Sequence, residues 1–107
     1  MRCKIKFTST AKNDLRDIAF YITEQSKDRE SAIRFVGELQ ERCRILEEFP
    51  ERGSVPNDRV LMSSGYRFLV QKDYLIFYLY EKAENTVYIM AVFNSRRDYM
   101  KVMKKFL

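Results

Sequence analysis

The sequence predicts an α+β fold in one domain over residues 1–107. It reads as an N-terminal strand, an antiparallel helical hairpin, an antiparallel β-meander and a short C-terminal helix. Three observations predict this. Apolar residues recur at helical spacing through most of the first half and with a period of two in the second. The links between periodic segments are too short for anything except antiparallel neighbours. Hydrophobic residues make up 46% of the chain, enough for a core, while Gly is only 3 and Pro only 2, so long loops are scarce.

The elements follow in order. Residues 2–7 alternate Cys3, Ile5 and Phe7 with Arg2, Lys4 and Lys6, the pattern of a half-buried strand. The two lysines suit an edge strand, where charge discourages pairing with other chains. Thr8-Ser9-Thr10 offers hydroxyl caps to a helix whose stripe is Ala11, Leu15, Ile18, Ala19 and Ile22, ending near Gln25. Ser26-Lys27-Asp28 is a short turn, and either Ser26 or Asp28 can cap the next helix. That helix runs from about Arg29 to Glu48, with Ala32, Phe35, Val36, Leu39, Cys43 and Leu46 on one stripe, and Pro50 stops it. Residues 51–58 form the loop-like stretch that joins helices to strands. Three or four strands are predicted, at about 59–63, 66–71, 74–80 and 86–93, with turns at Ser64-Gly65, Lys72-Asp73 and 81–85. Tyr74, Ile76, Tyr78 and Tyr80 oppose Leu75, Phe77 and Leu79. Val87, Ile89, Ala91 and Phe93 oppose Tyr88, Met90 and Val92. Both central strands are thus apolar on both faces, yet one helical hairpin covers only one. The C-terminal segment, a partner, or nothing covers the other. Tyr99, Val102, Met103 and Phe106 make 96–107 a short amphipathic helix.

The chain carries 20 basic and 15 acidic residues, a net charge of +5, and no histidine. That absence excludes a histidine acid–base relay, a Ser-His-Asp triad and any His-ligated metal site. The two cysteines, Cys3 and Cys43, have no metal-ligand or disulfide-framework spacing and read as reduced core thiols. No apolar run approaches the ~20 residues of a membrane span, and the N-terminus has no signal-peptide core, so a cytoplasmic protein without membrane, metal or cofactor is expected. The excess charge is local. Residues 94–107 carry Arg96, Arg97, Lys101, Lys104 and Lys105 against Asp98 alone. Lysines near a helix C-terminus complement its dipole, but arginines at a helix N-terminus oppose it, so an anionic partner is a better reason for Arg96 and Arg97.

The order of elements, together with particular residues, resembles the RelE/ParE superfamily of type II toxin–antitoxin toxins. The residues that carry the resemblance are Phe7-Thr8, Ala11, Asp14-Leu15 and Tyr21-Ile22; Ala32, Phe35, Leu39, Leu46, Phe49-Pro50 and Gly53; and Gly65-Tyr66-Arg67, Tyr74 to Tyr78, Val92-Phe93 and Arg96-Arg97-Asp98. The superfamily implies a cognate antitoxin, bound in a toxin–antitoxin hetero-oligomer, and two alternative activities. RelE-like toxins cut mRNA on the ribosome, whereas ParE-like toxins act on DNA gyrase.

Cutting RNA requires a base for the 2′-hydroxyl, a charge to stabilise the phosphate and an acid for the leaving oxygen. RelE-like enzymes are similar to one another in using Lys, Arg and Tyr for this. Carried over by position, the resemblance implies Arg67, Arg96, Arg97 and Tyr99 as the catalytic candidates of a nuclease. The central-strand arginine is replaced by Leu75, unless the register shifts so that Gly65-Tyr66-Arg67 supplies it. The long hairpin, the single Arg67 and the Arg97-Asp98 pair fit the ParE-like, plasmid-stabilising branch better. That branch implies Arg67, Arg96, Arg97, Lys101, Lys104 and Lys105 as target-binding residues and Tyr74, Tyr78, Tyr80 and Tyr88 as antitoxin-binding ones. A ribosome-dependent endonuclease and a non-toxic antitoxin-binding homologue are the alternatives.

Overall fold

In a computed structural model of the chain, described for residues 2–107, a four-stranded sheet has one helical layer on each face. The strands are β1 (Lys4–Phe7), β2 (Arg67–Gln71), β3 (Tyr74–Glu81) and β4 (Thr86–Asn94), in spatial order β1-β4-β3-β2. The last three form the predicted antiparallel meander, and β1 lies parallel beside β4.

The hairpin helices are α1 (Ser9–Ser26) and α2 (Arg29–Cys43), the second continued by a 3₁₀ turn over Arg44–Glu47. Local chemistry sets their ends. The Thr8 hydroxyl accepts the Ala11 N–H, and the Asp28 carboxylate accepts the Glu30 N–H, so each helix begins where an oxygen can satisfy a free donor. Between them Lys27 takes the left-handed conformation, φ 56°, and closes α1. Ala11, Leu15 and Ile18 of α1 and Leu39 and Cys43 of α2 pack on Ile76, Tyr78, Val87, Ile89 and Val92 to form the first core. Cys3 and Cys43 are free and buried in it, and burial pushes the Cys43 thiol up to about 12.

Residues 59–63 are not a strand. They form α3 (Arg59–Ser63), begun by Asp58, whose carboxylate accepts the Leu61 N–H at 2.9 Å. The run Val60-Leu61-Met62 is apolar throughout, and five residues are too few to separate periods of 2 and 3.6. Only Leu61 is buried. It joins Met103, from α4 (Tyr99–Met103), over Tyr66, Leu75, Phe77, Ala91 and Phe93 to make the second core. The second sheet face is therefore covered from within the chain, by α3 and by the C-terminal segment.

The predicted faces of β4 also need correction. Phe77 pairs with Ala91 but Tyr78 pairs with Ile89, so Met90 is the extra residue of a β-bulge. Beyond it the alternation reverses. Val87 and Ile89 face the hairpin, whereas Ala91 and Phe93 face α4. Thr8 sits beside the bulge, and both its N–H (3.1 Å) and its hydroxyl (3.0 Å) donate to the Ile89 carbonyl. A β-bulge adds one residue without a periodicity of its own, so the sequence pattern cannot announce it.

Candidate functional site

Two surfaces meet where β4 ends. The first is a cleft of about 440 Å³ between α1 and the end of β4, lined by Asp14, Asp17, Tyr21, Tyr74, Arg96 and Arg97 over an apolar floor of Ile18, Val92 and Phe93. The second is the basic outer face of the C-terminal segment. Arg96, Arg97, Lys101, Lys104 and Lys105 are all exposed, and among the described residues none lies within ion-pair distance of a carboxylate. Asp98, their acidic neighbour, caps α4 instead, accepting the Met100 N–H at 3.0 Å. The Arg97 guanidinium lies over the Phe93 ring, 5.9 Å from its centroid, a contact that orients the side chain and leaves its N–H groups available.

At the cleft wall, Asp14 accepts the N–H of Val92 at 2.9 Å, satisfying a backbone donor on β4 beyond the end of β1. Burial pushes the Asp14 carboxyl above its ordinary value, and the Val92 N–H and the nearby Lys105 and Arg97 charges oppose that rise. Sequence patterning singled out neither this role nor Asp17 and Tyr21 as site residues. The available signal was Asp14 itself, three residues after Ala11 on the buried stripe of α1, where a carboxylate needs a partner.

The structure disperses the remaining site candidates. Arg67 pairs across the ladder with Tyr78, so its side chain leaves β2 on the hairpin face. There the guanidinium donates to the Glu51 and Gly53 carbonyls, both at 3.0 Å, with the Glu51 carboxylate 3.8 Å away. Tyr99 lies on the other face, its ring 5.7 Å from Phe77 and 6.4 Å from Phe68, and its hydroxyl accepts the Asn57 N–H. The sheet separates these two residues, while Arg96 and Arg97 sit at the end of β4. Leu75, at the position of the missing arginine, is buried in the second core.

The four tyrosines of the sheet differ in the same way. Tyr78 is fully buried and presents no surface to a partner. Its hydroxyl accepts the Gly53 N–H at 2.9 Å. Tyr80 donates to the Asn85 side chain and Tyr88 to the Glu84 carboxylate, both near the β3–β4 turn. Tyr74 is half-buried and lines the cleft.

Among the described residues, no cluster of His, Cys, Asp or Glu could hold a metal ion, and no helix is long and apolar enough to cross a membrane. The cleft lining includes two guanidinium groups, two carboxylates and aromatic side chains. Such a lining can bind a charged peptide segment or another amphoteric group.

Residues 5–99 match the family model described as "ParE toxin of type II toxin-antitoxin system, parDE". The chain belongs to the ParE toxin family. Solved structures share the fold. The chromosomal ParDE toxin–antitoxin system of P. aeruginosa is 18% identical with TM-score 0.72, the match covering 87% of this chain and 96% of that one. The RelBE2 toxin–antitoxin complex of Mycobacterium tuberculosis is 22% identical with TM-score 0.67, covering 88% and 92%. The isolated E. coli RelE toxin is 15% identical with TM-score 0.57, covering 98% and 99%. No curated protein matches in sequence. This ParE-family chain is thus the toxin member of a type II toxin–antitoxin pair, built on the fold that ParE and RelE toxins share.

Proposed function

We propose that this ParE-family toxin inhibits growth in the cytoplasm by binding DNA gyrase through Arg96, Arg97, Lys101, Lys104 and Lys105, and that a cognate antitoxin holds it inactive in a hetero-oligomer. In this reading a partner reaches Tyr74 at the cleft and Tyr80 and Tyr88 near the β3–β4 turn, whereas Arg67 acts from a side chain already committed to the loop 51–53. Plasmid stabilisation is the role that follows where such a pair is plasmid-borne.

The observation that carries the choice is the placement of Arg67 and Tyr99 on opposite faces of the sheet. A phosphate being cleaved needs its charge stabiliser and its proton donor within hydrogen-bond reach of one another's substrate atoms. A protein target needs only a presented surface. The cations of the C-terminal segment, none within ion-pair distance of a carboxylate among the described residues, offer one, and they speed the encounter with an acidic partner.

The test is to express the protein in bacteria without its antitoxin and to assay the purified complex after antitoxin removal. Loss of gyrase supercoiling activity is the expected outcome, abolished by Arg96→Glu with Arg97→Glu. Transcripts cut in phase with codons on ribosomes would support the RelE-like endonuclease instead. Normal growth with soluble protein would support a non-toxic antitoxin-binding homologue.

A further inference from the structure

The helices α3 and α4 cover the second sheet face, but they do not close over each other. Between them runs a groove of about 400 Å³. Val60, Met100 and Leu107 line it, each about half exposed at 53%, 51% and 53%. Large apolar side chains scattered singly on a surface are ordinary, but several converging on one groove mark an interaction site.

The charges around the groove are uneven in what they present. Asp58 and Asp98 turn into the helix ends, where each carboxylate accepts a backbone N–H, from Leu61 and from Met100. Lys101 and Lys104 stand on the rim, and among the described residues neither has a carboxylate within ion-pair distance. The groove is also continuous with the basic surface. Lys101 lines both it and the shallow depression that contains Arg97.

We infer that the α3–α4 groove seats a segment of the toxin's protein target, one whose apolar side chains enter between Val60, Met100 and Leu107 and whose carboxylates meet Lys101 and Lys104. This rests on the reading that the basic surface faces the target. It adds a specificity element to that surface. Cations alone attract any anion, whereas an apolar slot beside them selects a segment with matching apolar residues. The groove lies on the sheet face opposite the hairpin, while the cleft opens beside α1.

The test uses the full chain, alone and with its antitoxin. Val60→Asp and Met100→Asp place a charge in the slot, Lys101→Glu with Lys104→Glu reverses the rim, and Met100→Leu preserves the apolar surface. The first three are expected to need at least about tenfold more toxin to inhibit growth, and Met100→Leu to act like wild type. All four should co-purify with the antitoxin and melt cooperatively. If an aspartate variant fails to melt cooperatively, the rim pair, which touches only exposed side chains, decides. Undiminished inhibition by well-folded groove variants overturns the groove alone. Loss of antitoxin binding also overturns it, by assigning the groove to the antitoxin. A wild-type chain that does not inhibit growth removes the underlying toxin reading, a failure visible before any variant is tested.

Discussion

Arg67 and Tyr99 lie on opposite faces of the sheet: Arg67 extends over the hairpin face to the loop carbonyls of Glu51 and Gly53, and the Tyr99 ring packs at a tilt against Phe68 and Phe77 on the opposite face. Residues without shared partners contribute independently. Arg67→Ala should cost about 1–2 kcal/mol, from lost charge-assisted hydrogen bonds, and Tyr99→Phe under about 1 kcal/mol. The double variant should be additive within about 0.5 kcal/mol by chemical denaturation. A larger coupling would mean that the two share a network that this arrangement excludes.

Gly53 is shaped around Tyr78. A Cβ at Gly53 would lie 2.6 Å from the Tyr78 hydroxyl oxygen and 2.9 Å from the Phe68 carbonyl oxygen. Neither the buried ring nor the backbone can yield easily. Gly53→Ala should therefore destabilise by about 1–3 kcal/mol through overpacking. Tyr78→Phe leaves the buried Gly53 N–H without its acceptor and should cost about 1–3 kcal/mol. A thermal melt of Gly53→Ala indistinguishable from wild type would show that the loop 51–54 repacks freely.

Asp14 makes stability depend on pH with a definite sign. Its native carboxyl lies above the ordinary 3.8, with burial as the leading cause. The folded state then holds its proton more tightly than the unfolded one. The stabilisation from this group is complete below about pH 3.8 and is lost as pH rises through the raised native value. Asp14→Asn keeps an acceptor for the Val92 N–H and removes the buried charge. It should match or exceed wild-type stability at pH 7, and the difference should shrink on acidification. Asp14→Ala removes the acceptor and should lose about 1–3 kcal/mol. Denaturation series between about pH 3.5 and about pH 7.5 separate these outcomes. Parallel wild-type and Asp14→Asn curves would count against a raised native value at this carboxyl.

The cysteines should be chemically silent in the folded protein. The thiolate is the reactive form, and burial holds Cys43 at about 12 and raises Cys3 as well. With iodoacetamide at about pH 8, Cys43 should stay unlabelled in the native state, and both thiols should react after denaturation. Rapid native labelling of Cys43 would show that α2 opens from the sheet far more often than its packing allows.

Much of the fold was legible because periodicity and caps are local. The stripe of α1, its hydroxyl cap and the Asp28 cap of α2 all lie within a few residues of what they control, whereas α2 gives way to a 3₁₀ turn after Cys43, short of the predicted end near Glu48. α3 was not legible, since five apolar-rich residues satisfy a strand pattern equally well and only the Asp58 cap argued otherwise. The faces of β4 depart from the alternating pattern beyond Met90 because a bulge changes the phase without changing the pattern. The basic end of the site was legible as a run of charge. Its neighbours Asp14, Asp17 and Tyr21 were not, because they come from α1, far away in the chain.

The sequence by itself determined the class of fold, the helical hairpin, the meander and the concentration of positive charge after residue 94. These follow from spacing and composition, which act between near neighbours. Only the tertiary structure decided which residues meet. It brought Asp14 to Val92, tied Arg67 to the loop 51–53, buried Tyr78 against Gly53 and put the sheet between Arg67 and Tyr99. Side-chain direction in a sheet depends on register and on a single bulge. Those are settled by packing between segments distant in sequence, where one residue's slip exchanges the two faces.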